Sequence, residues 1–466
     1  MKSINTEVDL SPYFKPLFMT LEPDFGTRSP PTTRKSTVVD PVDLFRQESP
    51  AFGRQLKELF PLDQDYIHLN HGGYGSAPCV VQQAARDLSR EIEAQPDKFY
   101  KLEFLPRLNG VRERLAKMVK AHPSEIVLIQ NNSTGINTVM RNFEWQEDDI
   151  IICFSTSFQT VHKTAYSLGD NSPHPTVTQI ELLFPTTPQE IVESFRNHVK
   201  SLPKMQGKKR VALLDTIISN PGVHIPWKEL VKICREEGIW SVVDAAHSIG
   251  QEQDLDLTEA APDFWVSNCH KWLYTKRPLS ILYIPERNRN VIKTSLPTSG
   301  AYKPIARRSS RDFLAQWEGM NRNGATDWVP YLTAETALDF REWLGGEEKI
   351  NNYCHQLALD GGKRMAEIFG TRLLDPDGDF TLNMVNVELP FPRDIPGSDQ
   401  VNDLFMKKML YERNAYSAHY YHNGRWWTRC SAQVYNEIQD FEKIARIWIE
   451  VCNEVKRELE ADDKYQ

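Results

Sequence analysis

The chain has 466 residues, 40% of them hydrophobic and 25% charged, with 55 Lys+Arg against 63 Asp+Glu for a net charge of −8. This is an ordinary globular composition. The length suggests two to four domains. No basic field exists to recruit nucleic acid or an anionic membrane, and no apolar run approaches the roughly 18–20 residues of a membrane span. The seven cysteines (79, 153, 234, 269, 354, 430 and 452) are odd in number, dispersed and never in a CxxC pair. They read as free thiols of a reducing compartment, and with no apolar signal core after Met1 the expected setting is cytoplasmic.

Residues 1–60 carry little periodic pattern. Pro30, Pro31 and Pro41 sit among polar residues, while Tyr13, Phe14, Phe18 and Phe25 favour an arm docked on a surface over a loose tail. Between 85 and 120 a helical pattern runs through Leu88, Ile92, Leu108, Val111 and Leu115, interrupted near Pro96. Strand and helix then alternate. Short apolar runs at Ile126–Ile129, Ile150–Phe154, Val211–Leu214, Ile239–Val243, Phe264–Val266 and Ser280–Ile284 predict strands. A helix follows the first of these through Asn137 and Met140. Another spans Trp227–Glu237, where Trp227, Leu230, Ile233 and Cys234 share a face. Continuous apolar strands between amphipathic helices predict an α/β fold with a mostly parallel central sheet and helices on both faces, which binds ligands beyond the carboxyl ends of its strands. No GxGxxG follows the first strand, so a dinucleotide is not expected. After about residue 345 the pattern changes to a helix with Leu357 and Met365, a strand over Leu382–Leu389, a helix with Val401 and Phe405, and a last helix from about Ile438. The expected division is an arm (1–60), a large domain (61–345) and a smaller α+β C-terminal domain (346–466).

Three strand-end elements bear on chemistry. Asn131-Asn132-Ser133-Thr134-Gly135 opens a helix, where free N–H groups and hydroxyls either cradle an anion or simply cap the helix. Asp244, in Val242-Val243-Asp244-Ala245-Ala246-His247, is either a cap or an acid aimed at a ligand's ring nitrogen. Lys271, in Ser267-Asn268-Cys269-His270-Lys271-Trp272, is hemmed in by Trp265, Trp272, Leu273 and Tyr274. It is either a snorkelling surface lysine or an amine made nucleophilic by desolvation. Each is ambiguous alone. Phosphate cradle, ring-nitrogen acid and Schiff-base lysine in that order match the binding of pyridoxal 5′-phosphate.

With these motifs the chain resembles the class V aminotransferase superfamily of fold-type I enzymes, in its isopenicillin N epimerase-like branch. Leu69-Asn70-His71-Gly72-Gly73-Tyr74-Gly75, Asp244-Ala245-Ala246-His247, Ser267-Asn268-Cys269-His270-Lys271-Trp272-Leu273 and Arg429-Cys430-Ser431-Ala432-Gln433-Val434-Tyr435-Asn436 carry the resemblance over residues 69–436. It implies that Lys271 holds the cofactor aldehyde and later shuttles the Cα proton. Asp244 would pair with the pyridine nitrogen, and His247 would contact the ring's phenolic oxygen. Asn132, Ser133 and the backbone of Thr134 and Gly135 would bind phosphate, with a further contact from His270. Phe158 would stack on the ring, Arg429 would clamp the substrate carboxylate, and Asn70 and Tyr74 would line the substrate mouth. A homodimer with a shared active site is implied as well.

Two departures follow from the resemblance. Where relatives read Gly-Thr-x-Asp, this chain has Gly324-Ala325-Thr326-Asp327, without the hydroxyl that would reach the partner's phosphate. Where fungal ergothioneine C–S lyases read Tyr-Gly-Ala-Cys, it has Phe158-Gln159-Thr160-Val161, without the thiol. The expected chemistry runs through an external aldimine and a carbanion at Cα of an amino-acid substrate. The first reading is a carbon–carbon bond-forming cyclase of fungal secondary metabolism, like that of the loline pathway. A cysteine-conjugate C–S lyase of the ergothioneine type is second and an amino-acid epimerase third. The spacing His68/His71 and His419/His422 raises a metal hydrolase. No HExxH accompanies it, so no metal is expected; His71 reads as a turn residue, and His419 and His422 as substrate-pocket or surface groups. An inactive scaffold is disfavoured by the retention of Lys271, Asp244 and Arg429 together.

Overall fold

A computed structural model describes residues 41–204, 206–295, 304 and 326–462. The aromatic set of the arm (13–25) and the Gly324-Ala325 departure lie outside the described residues. Strands are numbered in chain order: β1 (Ile67–His68), β2 (Ile126–Ile129), β3 (Ile150–Phe154), β4 (Thr176–Ile180), β5 (Arg210–Asp215), β6 (Trp240–Asp244), β7 (Phe264–Asn268), β8 (Ser280–Tyr283), β9 (Met384–Glu388), β10 (Ala415–Tyr416), β11 (Ala418–His422) and β12 (Arg425–Ser431).

Seven of these form one sheet in the order β2-β8-β7-β6-β5-β3-β4. Only β8 runs antiparallel to its neighbours; the rest are mutually parallel. Every residue of β2, β3, β5, β7 and β8 is buried, because helices cover both faces. That burial explains their continuous apolar runs. The two faces separate by alternation. Val243 and Trp265 join the cluster that includes Trp227, Leu230 and Ile233, whereas Val242 and Val266 join Ile136, Val139 and Met140 of the helix Asn132–Asn142. By the same period of two, Asp215 and Asp244 point toward the face of that helix.

The expected elements appear with small boundary shifts, and Trp227–Glu237 matches as a helix end to end. The break near Pro96 is real: one helix ends at Ala94, and the chain passes through a π-helical turn, Phe99–Glu103, into the helix Phe104–Met118. Sequence reading missed the partly exposed edge strand β4, whose pattern is diluted by Thr176, Thr178 and Gln179. It also missed the helices Gln159–Asp170 and Pro188–Ser201 and the strands β10, β11 and β12.

The C-terminal part holds an antiparallel sheet, β11-β12-β9, with the helices Gly346–Phe369 and Ile438–Asp462 packed together beside it. Leu44, Leu56, Phe60 and Leu69 join this second core, and β1 pairs in parallel with β10. The described part of the N-terminal stretch is therefore packed against the C-terminal half of the chain. Asn70, just after β1, bridges to Ser431 at the end of β12, which brings the Asn70–Gly75 turn to the mouth of the large sheet.

Candidate active site

Lys271 lies in a single helical turn, Cys269–Trp272, directly after β7. Its Nζ is 3.0 Å from His247 Nε2. Withdrawal from water and the positive charge of Arg429 lower the amine to about 7, against the opposing pull of Asp244. The lysine is thus an amine that can be neutral near pH 7, as nucleophilic attack on an aldehyde requires. The turn is locked from outside. Gly75 (φ +69°) passes so close that a Cβ there would sit 1.8 Å from the His270 carbonyl oxygen.

Asp244 ends β6 and is buried, and burial raises its carboxyl above the usual range. It accepts hydrogen bonds from the Ala246 N–H at 3.0 Å and from Asn132 Nδ2. The Asn132 N–H in turn donates to Asn268 Oδ1, which also receives the Ser280 hydroxyl. The first strand-end element therefore works differently from the expectation. The Asn132 side chain holds Asp244 rather than facing an anion. The Thr134 N–H is taken by Asn131 Oδ1 at 2.9 Å, and the Gly135 N–H by the Asn131 carbonyl. Asn131 is an N-cap, and it satisfies the donors that a phosphate cradle was expected to use. Ser133 remains, its hydroxyl 3.4 Å from Thr160 Oγ1. His270 is also placed differently: its Nδ1 pairs with the Leu279 carbonyl at 2.9 Å and burial lowers the ring to about 4, so Nε2 carries a lone pair rather than a proton.

Arg429 comes from β12, in the C-terminal sheet. It is 2% exposed, and no carboxylate pairs with it among the described residues. Nη2 donates to Asn70 Oδ1 at 2.7 Å and Nη1 to the Ser219 carbonyl at 2.6 Å, while Nε is without a hydrogen-bond partner. Burial lowers its proton affinity to about 10. Gly222 makes room for it, since a Cβ there would come 2.6 Å from Arg429 Cδ. A buried guanidinium without a counter-charge is costly and waits for an anion. At the mouth, Phe158 is 51% exposed at the start of the helix Gln159–Asp170, and Tyr74 is 65% exposed.

Among the described residues no three His, Cys, Asp or Glu side chains come together as a metal site. His71 is buried against Tyr435, with its Nδ1 2.9 Å from the phenol oxygen. His419 and His422 are buried structural groups rather than pocket or surface ones. His419 Nε2 bonds the Asn402 carbonyl, and His422 Nε2 accepts the Phe184 N–H.

The model of the family described as aminotransferase class-V matches residues 75–393. This chain belongs to that family. Two relatives of this class-V member span nearly their whole lengths in the comparison. The L-cysteine desulfhydrase-like protein lolT1 of Epichloe uncinata is 33% identical over 440 residues, covering 87% of this chain and 96% of that one. The hercynylcysteine sulfoxide lyase of Schizosaccharomyces pombe is 30% identical over 407 residues, covering 87% and 99%. Among solved structures, a C-DES mutant with glycine covalently linked to its PLP cofactor superposes with a TM-score of 0.71 at 16% identity, covering 84% of this chain and 98% of that one. The fold of this chain is therefore that of this PLP-bound structure.

The residues of this class-V member fit such a cofactor. An amine near neutrality, a buried acid at the neighbouring strand end, and an unpaired guanidinium face one another through their charges. Sequence reading missed four supports: Trp272 and Asn268, which sat inside a quoted motif without a role, and Asp215 and Ser157. Asp215 stands beside Asp244 in register on β5 and takes a 2.6 Å hydrogen bond from Ser157 Oγ. Burial and the neighbouring Asp244 raise it to about 8, and burial raises Asp244 as well, so the two adjacent carboxyls resist carrying two charges near neutrality. A strand-end acid one strand over from Asp244 was the available signal.

Proposed function

We propose that this chain is a PLP-dependent enzyme that withdraws a proton from Cα of an amino-acid substrate and directs the resulting nucleophile onto an iminium carbon of the same substrate, closing a carbon–carbon bond as the iminium π pair passes to its nitrogen. The observation that carries the substrate class is Arg429, a buried cation with no counter-ion among the described residues, near enough to Lys271 for its charge to lower the amine. Bound PLP supplies an electron sink for the pair left at Cα. Lys271 would anchor its aldehyde and, once released, take the Cα proton on Nζ. Asp244, steadied by Asn132 and the Ala246 N–H, would hold the ring nitrogen's proton. His247 would face the phenolic oxygen, Ser133 the phosphate, and Phe158 the ring plane. Arg429, with Asn70 and Tyr74 at the mouth, would fix the carboxylate and hence which Cα bond stands normal to the ring. A second copy of the chain would cover the exposed Phe158 and Tyr74, and sedimentation of the purified protein should then give a dimer. The setting, in keeping with seven free thiols, would be the cytoplasm.

Ring closure is favoured over sulfur transfer because no reactive thiol faces the site. Residue 161 is a buried valine, burial pushes the Cys153 thiol up to about 12, and Cys269 is raised further. A second reading, cleavage of a cysteine conjugate at its C–S bond, needs no acceptor thiol. It is favoured by the names of the relatives, a desulfhydrase-like protein and a sulfoxide lyase. Incubation with S-substituted cysteines, assaying pyruvate and ammonia, separates the two. Ring closure predicts exchange of the Cα hydrogen with deuterated water and no pyruvate; steady pyruvate release defeats it in favour of the lyase.

A further inference from the structure

We propose that Trp272 is a positioning residue of this site: its indole N–H selects the His247 tautomer that carries a proton on Nε2, so that His247 presents an N–H, not a lone pair, to the Lys271 amine and to the group that amine holds. The identity of that group rests on the reading above; the tautomer rests on geometry alone.

The indole nitrogen can only donate. Trp272 Nε1 donates to His247 Nδ1 at 3.3 Å, so Nδ1 must offer its lone pair. The His247 ring is buried, and burial, together with the positive charge of Arg429, keeps it neutral. A neutral imidazole has one ring proton, which must then sit on Nε2. Nε2 lies 3.0 Å from Lys271 Nζ. Two donors cannot face each other at that distance, so the lysine must accept and is a neutral amine. The polarity of the chain Trp272→His247→Lys271 is set by a group that neither ionises nor reverses.

The indole is itself fixed. It is 1% exposed and packs with Ile217 and Met384, its ring lies 5.9 Å from that of His71, and a Cβ at Gly72 would come within 3.1 Å of it. Its carbonyl receives Arg341 Nη1 at 2.7 Å. The charged and titratable groups around the pair are Asp244, Arg429 and His270. None of them offers His247 Nδ1 a competing hydrogen bond among the described residues. Without the indole donor, His247 could move its proton to Nδ1, turn a lone pair on Nε2 toward Lys271, and stabilise the ammonium. The tryptophan therefore favours the reactive form of an amine it does not touch.

The test uses the full-length chain with its cofactor removed by hydroxylamine. The Lys271-bearing peptide is followed by mass spectrometry after trinitrobenzenesulfonate labelling across pH 5–10. Trp272→Phe should move the labelling midpoint upward by about one unit, seen as roughly tenfold slower labelling at pH 7. A folded Trp272→Phe chain with the native midpoint overturns the proposal. Should that variant not fold, the native chain labelled with 15N-histidine decides, with His247→Gln assigning the signal: a protonated Nε2 and bare Nδ1 support the proposal, and the reverse pattern overturns it. Failure of borohydride to fix an adduct on Lys271 of the cofactor-loaded chain would defeat the cofactor reading and leave the labelling midpoint unaffected.

Discussion

The two ends of the site are built in different ways. At the lysine end, Asp244, Asn268 and Lys271 occupy the ends of the neighbouring strands β6 and β7, and Asn132 opens the helix after β2 of the same sheet. One rigid sheet sets all their spacings. At the arginine end, Arg429 is borrowed from the C-terminal sheet and is held by Asn70 and Ser219, which lie 359 and 210 positions away in sequence. The chemistry is therefore anchored to the large sheet, while substrate recognition depends on how the C-terminal part packs against it.

Lys271→Ala removes the amine itself. It should lower turnover by about 10³-fold or more and abolish the borohydride adduct, with little change in stability. Arg429→Lys keeps the charge but loses the planar fork held by Asn70 and Ser219. It should cost about 1.5–3 kcal/mol, read as roughly a 10- to 100-fold rise in KM for the amino acid with the absorbance of the loaded enzyme unchanged. If both variants lost kcat alone, the separation between a chemical end and a recognition end would be wrong. Gly75→Ala tests the seam between them. It meets both a positive φ and the His270 carbonyl, and should lower stability by about 1–3 kcal/mol in thermal unfolding while displacing the Lys271 turn.

The smallest effect concerns Asp215. The unfolded chain gives up this proton near 4 and the folded chain at about 8, so over that window the folded state binds more protons and stability falls as pH rises. Asp215→Asn should flatten the fall of Tm between pH 5 and 9. An unchanged slope would show that the neighbouring Asp244, and not Asp215, holds the proton.

Much of this was legible in the residues. The strands β2, β3, β5, β6, β7 and β8 announce themselves as short apolar runs because both of their faces are buried, and the amphipathic helix Trp227–Glu237 does so through its one apolar face. The motif around Lys271, with those around Asn70, Asp244 and Arg429, carried the resemblance to the family. What local pattern could not settle was the partner of each polar group. Asn131 and Asn132 are adjacent and chemically alike, yet one caps its helix and the other steadies Asp244. His422 resembled a pocket group until the N–H of Phe184, 238 positions away, was found on it.

The order of the chain by itself determined the large sheet, the placing of an acid and an amine at its strand ends, and the lack of any thiol at position 161. Only the tertiary structure decided that Arg429 stands without a counter-ion, that Asp215 shares the burial of Asp244, and that an indole orients His247. The reason is physical. Burial and periodicity are written along a segment, whereas the direction of a hydrogen bond and the charge of a buried group depend on atoms delivered by segments far apart in sequence.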